Sequence, residues 1–190
     1  MIHSHDRSGW FGASDTSTIM GRWTTKTFEK WWMQKLGLNT DHFTSTAMNA
    51  GTYYEHAVLD ALQVPRRDHQ ILIPELLLRV NLDGDAPKRI WEVKTHKAEK
   101  AYKPTAAHIR QVNVQMYAKR HVEKVLPDAV IAAYGLDEYD YRNFFNDIDP
   151  RRLQLYPVGY DEAFMRKYLK RVEYLADCLR KGAFPREITD

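Results

Sequence analysis

LLLRVNLDGDAPKRIWEVKT, Leu76 to Thr95, is the stretch on which the reading of this chain turns. Leu76 to Asp83 reads as a strand, Asp83-Gly84-Asp85-Ala86-Pro87 as a turn cluster, and Lys88 to Thr95 as the next strand. Alternate residues of a strand share a face. Ile90, Glu92 and Lys94 therefore point one way, and Trp91, Val93 and Thr95 the other. Glu92 and Lys94 interrupt what would otherwise be a core-facing row. With the turn centred on Ala86 and Pro87, Asp83 pairs near Ile90. Glu92 then lies diagonally from Asp83, about 7–8 Å away along the backbone.

Working outward, His69 to Ile73 reads as a preceding strand, set off by Pro74. Thr46 to Val64 reads as a helix, because Met48, Gly51, Glu55, Val58, Leu59 and Leu62 fall on one face. Shorter helices are expected from Ala13 or Ser14 to Met20 and from Lys26 to Leu36. Downstream, Pro104 suits the start of a helix running to Val122. Ala129 to Leu136 is strand-like, 139–155 is polar and irregular with a strand near Leu153, and Asp161 to Lys181 closes the chain as a helix. No internal repeat is visible. The order implies one mixed α/β domain over 1–190, a central mixed sheet flanked by helices.

Composition narrows the function classes. With 44% hydrophobic and 28% charged residues, the balance is that of a globular domain, and no run has the length of a membrane span. The start, MIHSHDRSGW, lacks the pattern of a secretory signal. The single cysteine, Cys178, excludes an intrachain disulfide and a multi-cysteine metal cluster, so a cytoplasmic setting is expected. The eight histidines show no zinc spacing beyond His3 and His5. A net charge of +3 is mildly basic and is weak evidence for a nucleic-acid partner.

Asp83 and Glu92 can reach inward to one hard cation. Mg²⁺ takes oxygen ligands and retains waters, so two carboxylates, a backbone carbonyl and substrate oxygens suffice. An ammonium beside them, Lys94, can orient a metal-bound water and offset charge developing on phosphorus. This is the minimal set for metal-assisted phosphodiester hydrolysis. The plainer alternative is a hairpin turn with a Glu92–Lys94 ion pair on a solvated edge. Glu55 shifts the weighing: on an apolar stripe its carboxylate costs several kcal/mol unless paired or metal-bound. A buried Arg or backbone amides could also hold it. Gly51, one turn earlier, leaves room for close approach.

Taken together, Gly51-x-x-x-Glu55, Asp83-Gly84, Glu92-Val93-Lys94 and the Gln111 to Tyr117 stretch QVNVQMY resemble the PD-(D/E)XK nucleases. The order most resembles the YqaJ/lambda-exonuclease branch, whose opening Arg and small-Ala-Ser-acidic motif match Arg7 and Gly12-Ala13-Ser14-Asp15. The resemblance covers Arg7 to about Ala118. It implies a restriction-endonuclease-like core and Mg²⁺-dependent, 5′-to-3′ degradation of one strand of duplex DNA in phage-type recombination, with Mn²⁺ substituting. It assigns Asp83, Glu92 and the Val93 carbonyl to the metal, Glu55 as a further ligand, Lys94 as the catalytic lysine and Gln111 to the active site. Arg7 and Ser14 match positions that hold a terminal 5′-phosphate, and Ser14 falls where a helix is expected to begin. DNA is the expected partner, with a single-strand-annealing recombinase and a homo-oligomer as candidate further partners. Two departures stand out: Leu82 replaces the usual Pro, and Asp85 is an extra acid that could compete for the metal.

Trp10, beside the Arg7–Ser14 loop, and Gln115, one turn after Gln111, are candidate DNA contacts; for Gln115 an exposed surface glutamine is an equal alternative. Ile109, Val112 and Met116 mark the expected buried side of that helix. Trp23, Trp31, Trp32, Tyr53 and Tyr54 read mostly as core. Lys97, Lys100, Lys103 and Arg110 could track phosphates, as could Arg166, Lys167, Lys170 and Arg171, but charge runs are more often solvated faces. Two other functions share the fold: a related endonuclease, and a catalytically silent DNA-binding module.

Overall fold

The computed structural model describes residues 7–38, 46–144 and 146–188, with side chains omitted over 46–50. Strands β1 (Arg66–Ile73), β2 (Leu78–Ala86), β3 (Arg89–Lys97), β4 (Asp128–Leu136) and β5 (Leu153–Val158) form one sheet in sequence order. All neighbours are antiparallel except β3 and β4. A parallel pair needs a crossover, supplied here by helix α4 (Ala106–Glu123). Thr105 caps α4 by accepting from the His108 amide, and Lys124 ends it in the left-handed region. The remaining helices are α1 (Thr16–Ile19), α2 (Lys26–Lys35), α3 (Thr46–Ala61) and α5 (Glu162–Arg180).

Two apolar layers sandwich the sheet. On one side Leu78, Val80, Leu82, Ile90, Ala129 and Ile131 join Val112 and Met116 of α4 and Met165, Val172 and Leu175 of α5. On the other, Tyr54, Val58 and Leu59 of α3 cover Trp91, Val93, Ala132 and Tyr134. This is the expected mixed sheet flanked by helices. Ile109, expected on the buried side of α4, is exposed in the first turn of a helix that begins at Ala106. The expected N-terminal helix is split into a single 3₁₀ turn, Ala13–Asp15, and α1.

The hairpin departs from expectation in a consequential way. Asp83, Gly84 and Asp85 are not a turn. β2 runs through them to Ala86, and only Pro87 and Lys88 connect the strands. The strand can continue because Asp85, fully buried, finds Lys119, Arg66 and His69 around it. Gly84 permits α3 to close on the sheet: a Cβ there would lie 2.6 Å from Leu59 Cδ2. The pairs are Asp85–Ile90 and Gly84–Trp91, so continuing the register sets Asp83 level with Glu92, not diagonal to it.

Regular alternation also fails at this point. Leu82 belongs to the α4-side core, yet Asp85, three residues on, bonds to Lys119 of the same helix. The β1–β2 ladder pairs Arg67 with Gly84 and His69 with Leu82, passing over Asp68 and Asp83, and Asp68 takes a left-handed φ of 52°. A local irregularity of this kind re-aims side chains. Here it turns Asp83 out of the ladder.

Candidate active site

Four elements converge on Asp83. Asp83 Oδ2 accepts the Val93 amide at 2.8 Å, taking the place of a ladder bond and fixing the backbone of β3 at Val93. Glu92, only 3% exposed, faces α4 and is held by three donors. Gln111 Nε2 donates at 2.6 Å, Lys94 Nζ at 2.5 Å, and Gln115 Nε2 to the second carboxylate oxygen. Lys94 also donates to Gln111 Oε1 at 3.3 Å. Glu55 approaches from α3 and couples electrostatically to both Asp83 and Glu92.

The electrostatics describe a site short of positive charge. Burial pushes the Asp83 carboxyl well above the usual range, and the charges of Glu92 and Glu55 push it further. Burial and then Glu92 drive Glu55 up to about 7. Burial alone would lower the Lys94 ammonium, but Glu92, Asp83 and Glu55 outweigh it and hold it above its ordinary value. Three enclosed carboxylates against one lysine form an all-oxygen donor set suited to a divalent hard cation.

Several expectations acquire a definite place. Gln111 sits beside Lys94 and Glu92. Gln115 is buried, 1% exposed, and bridges Glu92 to the Asn81 carbonyl. It orients a carboxylate from beneath and is not a DNA-facing residue, because α4 presses this turn onto the sheet. Asp85 is turned to the α4 side, where Lys119, Arg66 and His69 hold it. The favourable charges on Glu55 among the described residues are those of His56 and then Lys94. A Cβ at Gly51 would meet Thr95 Oγ1 at 3.6 Å, an ordinary contact. Trp23, Trp32 and Tyr54 are core, while Lys97, Lys100, Lys103 and Arg110 are exposed.

Arg7, Trp10 and Ser14 line a cleft of about 80 Å³ together with Lys35, Arg79 and Asn81. Arg7 and Ser14 are exposed and Trp10 is half-buried. Asp15 anchors the floor, accepting from the Gly12 amide at 2.7 Å, Trp31 Nε1 at 3.0 Å and Lys35 Nζ at 2.7 Å. Lys35 Nζ in turn donates to the Arg7 carbonyl at 3.3 Å. The expected helix start is a single 3₁₀ turn, and its Gly12 amide is already taken by Asp15. The cationic side chains of the cleft lining are Arg7, Arg79 and Lys35, the last already paired with Asp15. Asn81 lies two residues, about 7 Å of strand, from Asp83, so the cleft adjoins the acidic cluster.

Lys35, Arg79 and Asn81 escaped the sequence reading. For the last two a signal existed: they alternate with buried Leu78, Val80 and Leu82 and so share the opposite face of β2. Lys35 carried none, as a lysine at a helix end ordinarily means solvent.

The five-stranded mixed sheet with helices on both faces is a fold shared with solved exonuclease structures. An alkaline exonuclease from Laribacter hongkongensis superposes with a TM-score of 0.68 at 15% identity, covering 93% of this chain and 90% of the other. The same enzyme in complex with dAMP gives 0.70 at 16%, covering 92% and 89%. A phage-related exonuclease from Haemophilus somnus gives 0.61 at 14%, covering 91% and 96%. No family model and no curated protein matches the sequence. The similarity is therefore one of fold. Among the described residues no helix is long and apolar enough to cross a membrane.

Proposed function

We propose that this protein is a divalent-metal-dependent DNA exonuclease that shortens duplex DNA from 5′ ends. The observation that carries the reading is the pairing of two acids on adjacent strands: Asp83 accepts the Val93 amide while Glu92 is gripped by Lys94 and Gln111, with Glu55 close enough to raise the Asp83 carboxyl. Asp83, Glu92 and the Val93 carbonyl would hold Mg²⁺, or Mn²⁺ in its place, with Glu55 as a further ligand. A cation bound there supplies Lewis-acid polarisation of a phosphoryl oxygen and a lowered pKa for water.

The residues supply the rest. Lys94, fixed by Glu92 and Gln111, places an ammonium beside the reacting phosphate, where it orients water and offsets negative charge. Gln111 and Gln115 hold Glu92 in one rotamer, so the site is organised before substrate arrives. The Arg7–Ser14 cleft would take a terminal 5′-phosphate, with Trp10 in its lining available to an end base. A terminal monoester carries more charge than a bridging diester, so a cleft with Arg7, Arg79 and Lys35 prefers ends. Water attacks phosphorus and the bond to the 3′ oxygen breaks. The released nucleotide keeps its 5′-phosphate, and the shortened strand presents a new one to the cleft. The structural neighbour solved with dAMP is compatible with such a nucleotide product. The family resemblance extends the proposal to phage-type recombination in a cytoplasmic setting, with a single-strand-annealing recombinase and self-association.

The test is cleavage of matched linear duplexes carrying 5′-phosphate or 5′-hydroxyl ends, and of closed circular duplex, with Mg²⁺ and with excess chelator. Metal-dependent loss of the linear phosphorylated duplex is expected. Cleavage of circles would favour an endonuclease. Binding without cleavage under any metal would favour a silent DNA-binding module.

A further inference from the structure

Next to the acidic cluster lies a second group of ligand-type side chains. Glu55 and His56 are consecutive on α3, and Asp68 projects from β1; donor atoms of all three lie within 4.8 Å of one another. His56 Nε2 and Asp68 Oδ2 are 3.3 Å apart, beyond the roughly 2.7–2.9 Å of a charge-assisted hydrogen bond. Two donors about 2.1 Å from one ion subtend about 104° at that separation, close to a tetrahedral angle. Donors on one such ion lie no more than about 4.2 Å apart, so a small side-chain rotation closes the set. Asp68 is presented by its left-handed backbone, at the residue the β1–β2 ladder passes over. His56 and Asp68 are each partly open to solvent, at 45% and 37%, which leaves room for water ligands.

We propose that Glu55, His56 and Asp68 form a second cation site, joined to the first through Glu55 and selective for a divalent first-row transition ion over Mg²⁺. The selectivity follows from the donors. Mg²⁺ favours all-oxygen octahedral sets, whereas an imidazole nitrogen beside two carboxylates suits ions further along the transition series. Charge points the same way. Glu55 links two sets of acids, repelled by Glu92 on one side and by Asp68 on the other, against the favourable charges of His56 and Lys94. One divalent ion leaves the acids with negative charge uncompensated; a second removes it. The site shares only Glu55 with the proposed catalytic centre, so the two can be emptied separately.

Titration with Mn²⁺, followed by the electron paramagnetic resonance of the free ion, reads occupancy without reference to activity. The protein is expected to bind two equivalents. Asp83→Asn should retain one, held at His56. His56→Gln and Asp68→Asn should each retain one, held at Asp83 and Glu92. A large excess of Mg²⁺ should displace Mn²⁺ from the wild type down to one equivalent, and from His56→Gln completely. Circular dichroism of each variant checks folding, and the two independent substitutions, at half-buried His56 and Asp68, guard against a single variant that fails to fold. A single equivalent in the wild type, lost in Asp83→Asn and untouched by His56→Gln, would overturn the second site and leave the first intact. Two equivalents surviving in both His56→Gln and Asp68→Asn would also overturn it. Mn²⁺ lost with His56→Gln but not with Asp83→Asn would sustain this site and refute the catalytic one.

Discussion

Replacing Lys119 with methionine tests how β2 is held beneath the active site. Lys119 Nζ lies 2.5 Å from Asp85 Oδ1 and 2.8 Å from Glu123 Oε2, and neither Lys119 nor Asp85 has exposed side-chain surface. At an effective dielectric of 20 the close contact is worth about 7 kcal/mol gross. Desolvating each ion costs several kcal/mol, so the net value of the pair is small. Breaking it is another matter. Lys119→Met leaves Asp85 buried with only Arg66 and His69, and Arg66 is half in solvent. Losing one partner of a buried pair costs about 3–5 kcal/mol; the two remaining partners place this case near 3 kcal/mol. For a chain of this size that lowers Tm by about 6–12 °C. Urea unfolding of Lys119→Met, Asp85→Leu and the double variant measures it, and the double variant should recover more than 1 kcal/mol over the sum of the singles. Additive losses, or a Lys119→Met cost under 1 kcal/mol, would refute the buried pair. Its pH dependence has a definite sign. Burial pushes Asp85 up, but the bonds from Lys119 and His69 outweigh it and the carboxyl is held below its usual value of 3.8. Its stabilisation is complete above that value and is lost as pH falls through the lower folded-state value.

Glu92→Gln and Lys94→Ala should each reduce cleavage by at least about 100-fold while leaving the melting profile and DNA binding near wild type; near-wild-type turnover in either would move the active centre elsewhere. Mg²⁺ or Mn²⁺ should support cleavage while Ca²⁺ binds without supporting it, and robust activity in excess chelator would contradict the metal reading. Arg7→Ala should remove most of the preference for 5′-phosphate over 5′-hydroxyl ends, a loss of about 1.5–3 kcal/mol in kcat/KM; an unchanged ratio would empty the cleft of its role. Glu55, raised to about 7 by burial and Glu92, binds its proton more tightly folded than unfolded. The metal-free protein should therefore lose stability relative to Glu55→Gln as pH rises from 4.5 to 7. A flat difference across that window in chelator-treated samples would show that Glu55 is not enclosed among like charges.

What the sequence determined by itself is the local pattern. Periodicity located α2, α3, α4, α5 and the strands β2 to β4 to within a few residues, because apolar spacing and caps are local properties. Glu92 and Lys94 were conspicuous as charges on an otherwise apolar strand, and Glu55 as an acid on an apolar helical stripe. Three matters waited for the tertiary structure. The start of β1 at Arg66 had no apolar signal, since Arg66 and Arg67 are placed by pairing with Asp85 and Gly84. Turn composition argued that Asp83-Gly84-Asp85 should leave the sheet; Lys119, from a helix 34 residues on, keeps Asp85 in it. That one buried charge pair, formed between segments distant in sequence, carries β2 past Asp83 and breaks the alternation there. Whether Asp83 pointed at Glu92 or past it was decided by a long-range contact, and no property of the hairpin alone encodes that contact.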